Sequence, residues 1–266
     1  MTGRAAALAA FFLAASSAAE ARPLRVMSLD QCADQYALAL APAAELALSP
    51  RADDPDAWLR AAASDRRRVR PSLEAAIAFR PDAVIRYWGG DPRMLRRLEA
   101  DGVRVLTIED ARDFEGVRTN IRSISAGLGA QGRGERLIDR MDRTLVRAGP
   151  EIERTSRPSA LYLTAGGFTA GRDTLIDAIL NAAGFVNSVR GPSFAPVSVE
   201  RTVLRPPARF VLGFFDQIRS DWRGPGRHPA LRRASQGRVA ARLPAAALTC
   251  PGWFAADAAA LLKAGA

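Results

Sequence analysis

Histidine, cysteine and lysine are almost missing from this chain of 266 residues: His228 is the only histidine, Cys32 and Cys250 are the only cysteines, and Lys263 is the only lysine. One histidine and two distant cysteines leave no ligand set for a zinc site built by the protein. There is no Gly-x-Ser-x-Gly elbow and no cluster of carboxylates at acid–base spacing, so an enzyme is not expected. The formal charge of +10 invites a nucleic-acid reading. Because that charge is carried by scattered arginines rather than a basic stretch, it is read as solvated surface, and no nucleic-acid partner is expected.

Long apolar runs are also missing. The longest opens the chain, where Arg4 precedes an apolar stretch from Ala5 to Ala15 and a small-residue tail ending Ala19-Glu20-Ala21. That is the layout of a secretory leader, and it is far short of the roughly 20 residues that span a bilayer. A cleaved leader over residues 1–21 is expected, with a periplasmic mature chain. No cysteine stands at the cleavage site, so no lipid anchor is expected. The cysteines then face an oxidising compartment in which Cys32 and Cys250 either pair or stay free.

What is present is a rhythm. Apolar stretches at Leu24–Leu29, Ala83–Trp88 and Val103–Ile108 alternate with helical segments, which predicts a parallel sheet covered by helices. From about Glu115 to Ala148 the chain reads as helix with a break near Gly127–Gly134, and Leu137, Ile138, Met141, Leu145 and Ala148 share one face. The alternation then restarts with Ala160–Ala165, a helix over Thr174–Ala183, Phe210–Phe214 and a strand within Val239–Leu248. The expected fold is α/β: two Rossmann-like lobes joined by one long helix, with a cleft between them. The boundaries are 22–130 for the first lobe, 131–157 for the connector and 158–266 for the second lobe.

One motif occurs in both lobes. "SLEAAIAFRPDAVI" from Ser72 returns as "SVERTVLRPPARFV" from Ser198, an offset of 126 residues. Each serine caps a helix, each glutamate falls in its first turn, and Pro81 and Pro207 stop it before a strand. Helix punctuation accounts for Ser and Pro, whereas Glu74 and Glu200 are open to a second role.

Taken with RVMSLDQCADQYALAL (from Arg25) and LYLTAGGFTAGRDTLIDAILNAAG (from Leu161), these stretches resemble the periplasmic binding proteins of ATP-driven uptake systems for ferric siderophores, haem and cobalamin. The resemblance covers essentially the whole mature chain. It implies a monomer with no cofactor of its own, which captures a small-molecule metal chelate and delivers it to an ABC permease dimer and its ATPase in the inner membrane. It also implies that Glu74 and Glu200 meet arginines of that permease. A ferric siderophore is the first expectation, with a corrinoid or haem as the alternative; an enzyme or sensor on the same scaffold stands further back.

Strand ends then supply the candidate ligand set: Asp30 and Gln31, Tyr87 and Trp88, Phe168 and Thr169, Phe194, Phe215 and Asp216, and Trp253. Aromatics make up only 7% of the chain yet gather at these loops, which suits a broad, partly apolar ligand. Tyr87 and Trp88 have the alternative of ending a buried strand. Arg86 and Arg172 are open to an anionic chelate or to solvent. His228, before Pro229, is expected to cap a helix.

Overall fold

The strand–helix rhythm is realised as two parallel sheets. The computed structural model describes residues 22–149, 157–217 and 224–265; the expected leader and the far end of the expected connector lie outside the described residues. In the first lobe β1 (Arg25–Ser28), α1 (Gln31–Leu40), β2 (Glu45–Leu48), α2 (Arg60–Ala63), β3 (Arg67–Arg68), α3 (Leu73–Phe79), β4 (Ala83–Arg86), α4 (Pro92–Ala100), β5 (Arg104–Thr107) and α5 (Phe114–Gly127) follow in order. The strands are arranged β3-β2-β1-β4-β5 and every pairing is parallel.

After α6 (Gln131–Ala148) the second lobe runs β6 (Ser159–Thr164), β7 (Phe168–Ala170), α7 (Leu175–Ala182), β8 (Val186–Asn187), β9 (Phe194–Pro196), α8 (Val199–Leu204), β10 (Arg209–Gly213), α9 (Pro229–Ser235), β11 (Val239–Leu243) and α10 (Ala255–Ala264). Its main sheet has the order β11-β10-β6-β8, and β7 pairs with β9 as a separate antiparallel ribbon. In each sheet the chain winds first to one side and then to the other. The reversal falls between β1 and β4 in the first lobe and between β6 and β10 in the second, where the loops part to leave a crevice.

Alternation along the strands divides the core. Val26 and Ile85 face one apolar cluster while Met27 and Val84 face another; likewise Tyr162 points to the first cluster and Leu161 and Leu163 to a third. The first cluster is continuous through both lobes and takes in α1, α5, α6, α7 and α10. The predicted face of α6 is the one used: Ile138, Met141 and Ala148 are buried, and Leu137 and Leu145 pack at the edge of that core.

Three details differ from the sequence expectations. The strand expected to reach Trp88 ends at Arg86, so Tyr87 and Trp88 belong to a loop. The β2 strand, Glu-Leu-Ala-Leu, is too short for its period to separate strand from helix. The β7–β9 ribbon depends on a partner about 25 residues away, which no local pattern reports.

Candidate binding cleft

The crevice of the first lobe is organised by Asp30. Its Oδ1 accepts the Ala33 N–H at 2.9 Å, capping α1, while Oδ2 accepts the N–H groups of Tyr87, Trp88 and Gly89 at 2.7, 3.2 and 2.9 Å. One buried carboxylate therefore ties the β4 loop to the end of β1. Glycine is required at position 89, because a Cβ there would stand 2.4 Å from the Leu29 carbonyl oxygen. The loop so held presents the half-buried Tyr87, whose hydroxyl donates to the Asp110 carboxylate. Burial first, then Asp110 and more distant Asp30, push the Tyr87 phenol up from its ordinary value.

Below this loop Asp34 is wholly buried on α1 and accepts from the Ser28 hydroxyl and from the Ser49 N–H and hydroxyl. Burial outweighs these hydrogen bonds and pushes its carboxyl up to about 6.

Opposite, the second lobe contributes the β7–β9 ribbon, the start of α7 and the loops after β10 and β11. A cavity of about 430 Å³ is lined from both lobes, with Tyr87, Asp110 and Arg112 on one side and Asp173, Phe194, Phe214 and Cys250 among the residues on the other. Asp173, Ser193 and Phe214, which all line it, hold positive φ angles of 61°, 63° and 60°. Backbone strain of this kind is tolerated where the surroundings impose it, and it clusters at ligand sites. Gly171 lets the ribbon close against the neighbouring loop: a Cβ there would lie 1.8 Å from the Gly191 carbonyl oxygen.

The lobes are bound together beside this cavity. Cys32 and Cys250 form a disulfide, the Tyr36 hydroxyl donates to the Pro251 carbonyl at 2.7 Å, and Gln31 and Gln217 both donate to Asp56. Trp253 meets Tyr36 edge-on, and Phe254 stacks on Trp58.

Of the ten ligand contacts expected from sequence, Tyr87 and Phe194 line this cavity. Trp88 and Phe168 are exposed, 57% and 49%, but do not line it. The other six do not line it. Asp30 is the loop tie just described; Gln31 is buried against Asp56; Trp253 is buried among aromatic neighbours; Asp216 accepts the Ala245 N–H and caps a short turn. Thr169 is buried and faces the opposite side of the ribbon from Phe168 and Phe194, because alternate residues of a strand point to opposite faces. Phe215 is partly buried beneath the Arg227 guanidinium, 5.0 Å from its ring centre. Arg86 and Arg172 donate to the Gly89 and Arg190 carbonyls, and His228 caps α9 by accepting the Ala230 N–H.

Sequence reasoning missed Asp110, Arg112, Asp173 and Phe214. The Asp-Ala-Arg run just after β5 stands at a strand end and carried that signal; Phe214 was hidden because it reads as the last residue of an apolar strand. Glu74 and Glu200 stand exposed in the first turns of α3 and α8. The backbone and the Ser72 hydroxyl hold the Glu74 carboxyl below its ordinary value.

A sequence profile described as periplasmic binding protein matches residues 39–210, spanning most of the first lobe, the connecting helix and about half of the second lobe. The chain belongs to the periplasmic binding protein family. No curated protein sequence matches it. Among solved structures it is similar to the periplasmic haem-binding protein BhuT in complex with two haems, at 24% identity, covering 91% of this chain and 97% of that one, with a TM-score of 0.67. It is also similar to a periplasmic haem-binding protein from Pseudomonas aeruginosa, at 25% identity, 91% and 92% coverage and a TM-score of 0.64. The periplasmic vitamin B12 binding protein BtuF of Vibrio cholerae shares the fold at 19% identity, 91% and 96% coverage and a TM-score of 0.61. Family and neighbours are binding proteins. No helix among the described residues is long and apolar enough to cross a membrane.

Proposed function

We infer that the mature chain, freed of residues 1–21, is a monomeric periplasmic solute-binding protein. It takes a metal chelate into the cleft between lobes 22–130 and 158–266 and delivers it to an inner-membrane ABC permease. It needs no cofactor of its own and performs no turnover. Glu74 and Glu200 are its docking charges.

The observation that carries the ligand reading is Tyr87 in the cleft beside Asp110, facing Phe194. A phenol is a hard oxygen donor suited to ferric iron. A hexadentate siderophore saturates its iron and leaves such a donor nothing to bind, whereas an iron tetrapyrrole leaves an axial position open. Phe194 offers an apolar face to the macrocycle, and Arg112 at the rim offers a cation to its carboxylates. The two similar haem-binding structures support the same order. An iron tetrapyrrole is therefore placed ahead of a ferric siderophore, reversing the order expected from resemblance alone.

Ligation replaces the Tyr87 proton by iron and releases that proton to solvent. Because the phenol is pushed up, haemin affinity should rise by up to about tenfold per pH unit across neutral pH. Titration with haemin should give a ferric spectrum that Tyr87→Phe changes, with a clear loss of affinity. Tight binding of a ferric hydroxamate with none of haemin would overturn the tetrapyrrole reading and restore the siderophore.

A further inference from the structure

The repeat that begins at Ser72 and Ser198 has a fourth position that neither capping nor charge explains. Three residues beyond each glutamate stands a β-branched apolar side chain, Ile77 and Val203, exposed by 55% and 41%. The two helices match in detail. Ser72 and Ser198 accept the N–H three residues on, both at 3.2 Å, and Ala76 and Thr202 are the buried members of their turns. Ile77 and Val203 stand outside the apolar clusters that take in Leu73, Ala75, Ala76 and Phe79 on one lobe and Val197 and Val199 on the other. Leu204, 73% exposed, widens the apolar spot on α8.

Exposed apolar residues are ordinary when scattered singly. These recur at one position of a repeat, at equivalent places in two lobes, and on the same face as an acidic residue, since positions i and i+3 of a helix are neighbours. In a chain with formal charge +10, neither Glu74 nor Glu200 has an ion-pair partner among the described residues, which is also true of Glu99 and Glu109, so both carboxylates are left open to an outside cation.

We propose that Glu74 with Ile77, and Glu200 with Val203, are two copies of one composite docking point, each a charge beside an apolar contact. The fitting partner is a permease with twofold symmetry that offers, at two related sites, a cation next to an apolar depression. The inference rests on the delivery reading above. The charge steers the approach and is screened by salt; the apolar contact is not screened and holds the complex.

The test measures binding of the mature chain to its permease and ATPase in lipid nanodiscs, from low to high salt, with ATPase stimulation as a second readout. Ile77→Ser with Val203→Ser should weaken binding about tenfold or more at every salt concentration, with thermal unfolding and haemin titration unchanged. Glu74→Ala with Glu200→Ala should weaken binding chiefly at low salt and flatten its salt dependence. Val146→Ser, at an 81% exposed site on α6, should change nothing. Should the serine pair bind within twofold of wild type while the glutamate pair is weakened, the apolar half of the proposal is wrong and delivery stands. Should neither pair weaken binding, the docking reading fails and takes the proposal with it. Binding to permease-free anionic vesicles that is lost in the serine pair would replace the permease by lipid and overturn the proposal.

Discussion

Cys32, in the first turn of the first lobe's α1, is bonded to Cys250, in the last loop of the second lobe, across 218 residues with their Cα atoms 5.4 Å apart. Tyr36, one helical turn along from Cys32, donates to Pro251 next to Cys250, so covalent and hydrogen-bonded ties act at one edge of the cleft. With the continuous core through both lobes, they oppose wide opening along that edge.

A loop of this length loses much chain entropy when closed. Replacing both cysteines by serine should lower stability by about 3 to 5 kcal/mol in guanidinium unfolding. Both sulfurs are buried, so in native buffer reductant should release thiols only slowly, and release should accelerate at the unfolding transition. Equal unfolding midpoints with and without reductant would contradict this.

Asp34 predicts an unusual pH dependence. Its carboxyl titrates at about 6 in the folded chain, above the ordinary value near 3.9 of an unfolded one, so the native state holds a proton that the unfolded state has lost. The stability from this group is therefore fully present below about pH 4 and is lost as pH rises through about 6, by about 3 kcal/mol at most. Asp82 and Asp91, held low by hydrogen bonds to backbone N–H groups, act oppositely, and their contribution fades only as pH falls below about 4. Urea unfolding between pH 4.5 and 7 should show the loss in wild type and not in Asp34→Asn; parallel curves would remove Asp34 as its source.

Asp30→Asn should separate scaffold from ligand contact. An amide in place of Oδ2 turns N–H donors toward the N–H groups of Tyr87, Trp88 and Gly89. A loss of about 2 to 4 kcal/mol is expected, together with weaker haemin binding because the Tyr87 loop is no longer held. Full stability with reduced binding would return Asp30 to the role of a direct ligand contact.

Phe194 and Trp253 were expected in one role and should behave in two. Phe194 is 61% exposed and lines the cleft, so its change to Ala should alter stability by less than about 0.5 kcal/mol and weaken haemin binding about tenfold. Trp253 is 3% exposed against Tyr36 and Phe254, and its loss should cost about 3 to 5 kcal/mol in thermal or denaturant unfolding. The reverse pattern would exchange their roles.

Two parallel-sheet lobes, the buried face of α6, the caps at Ser72 and Ser198 and the cap at His228 were all legible in the sequence. Each depends on neighbours within a few residues: apolar period, a capping oxygen, a proline stop. Only the tertiary structure decided which strand-end residues reach the cleft. Asp30 and Tyr87 are 57 residues apart, yet the first is consumed in holding the second. Thr169 and Phe168 are adjacent, yet the ribbon turns them to opposite sides. The pairing of Cys32 with Cys250 was open for the same reason. Residue type and spacing along the chain determine local geometry, whereas direction into a cleft follows from packing between segments that the sequence keeps far apart.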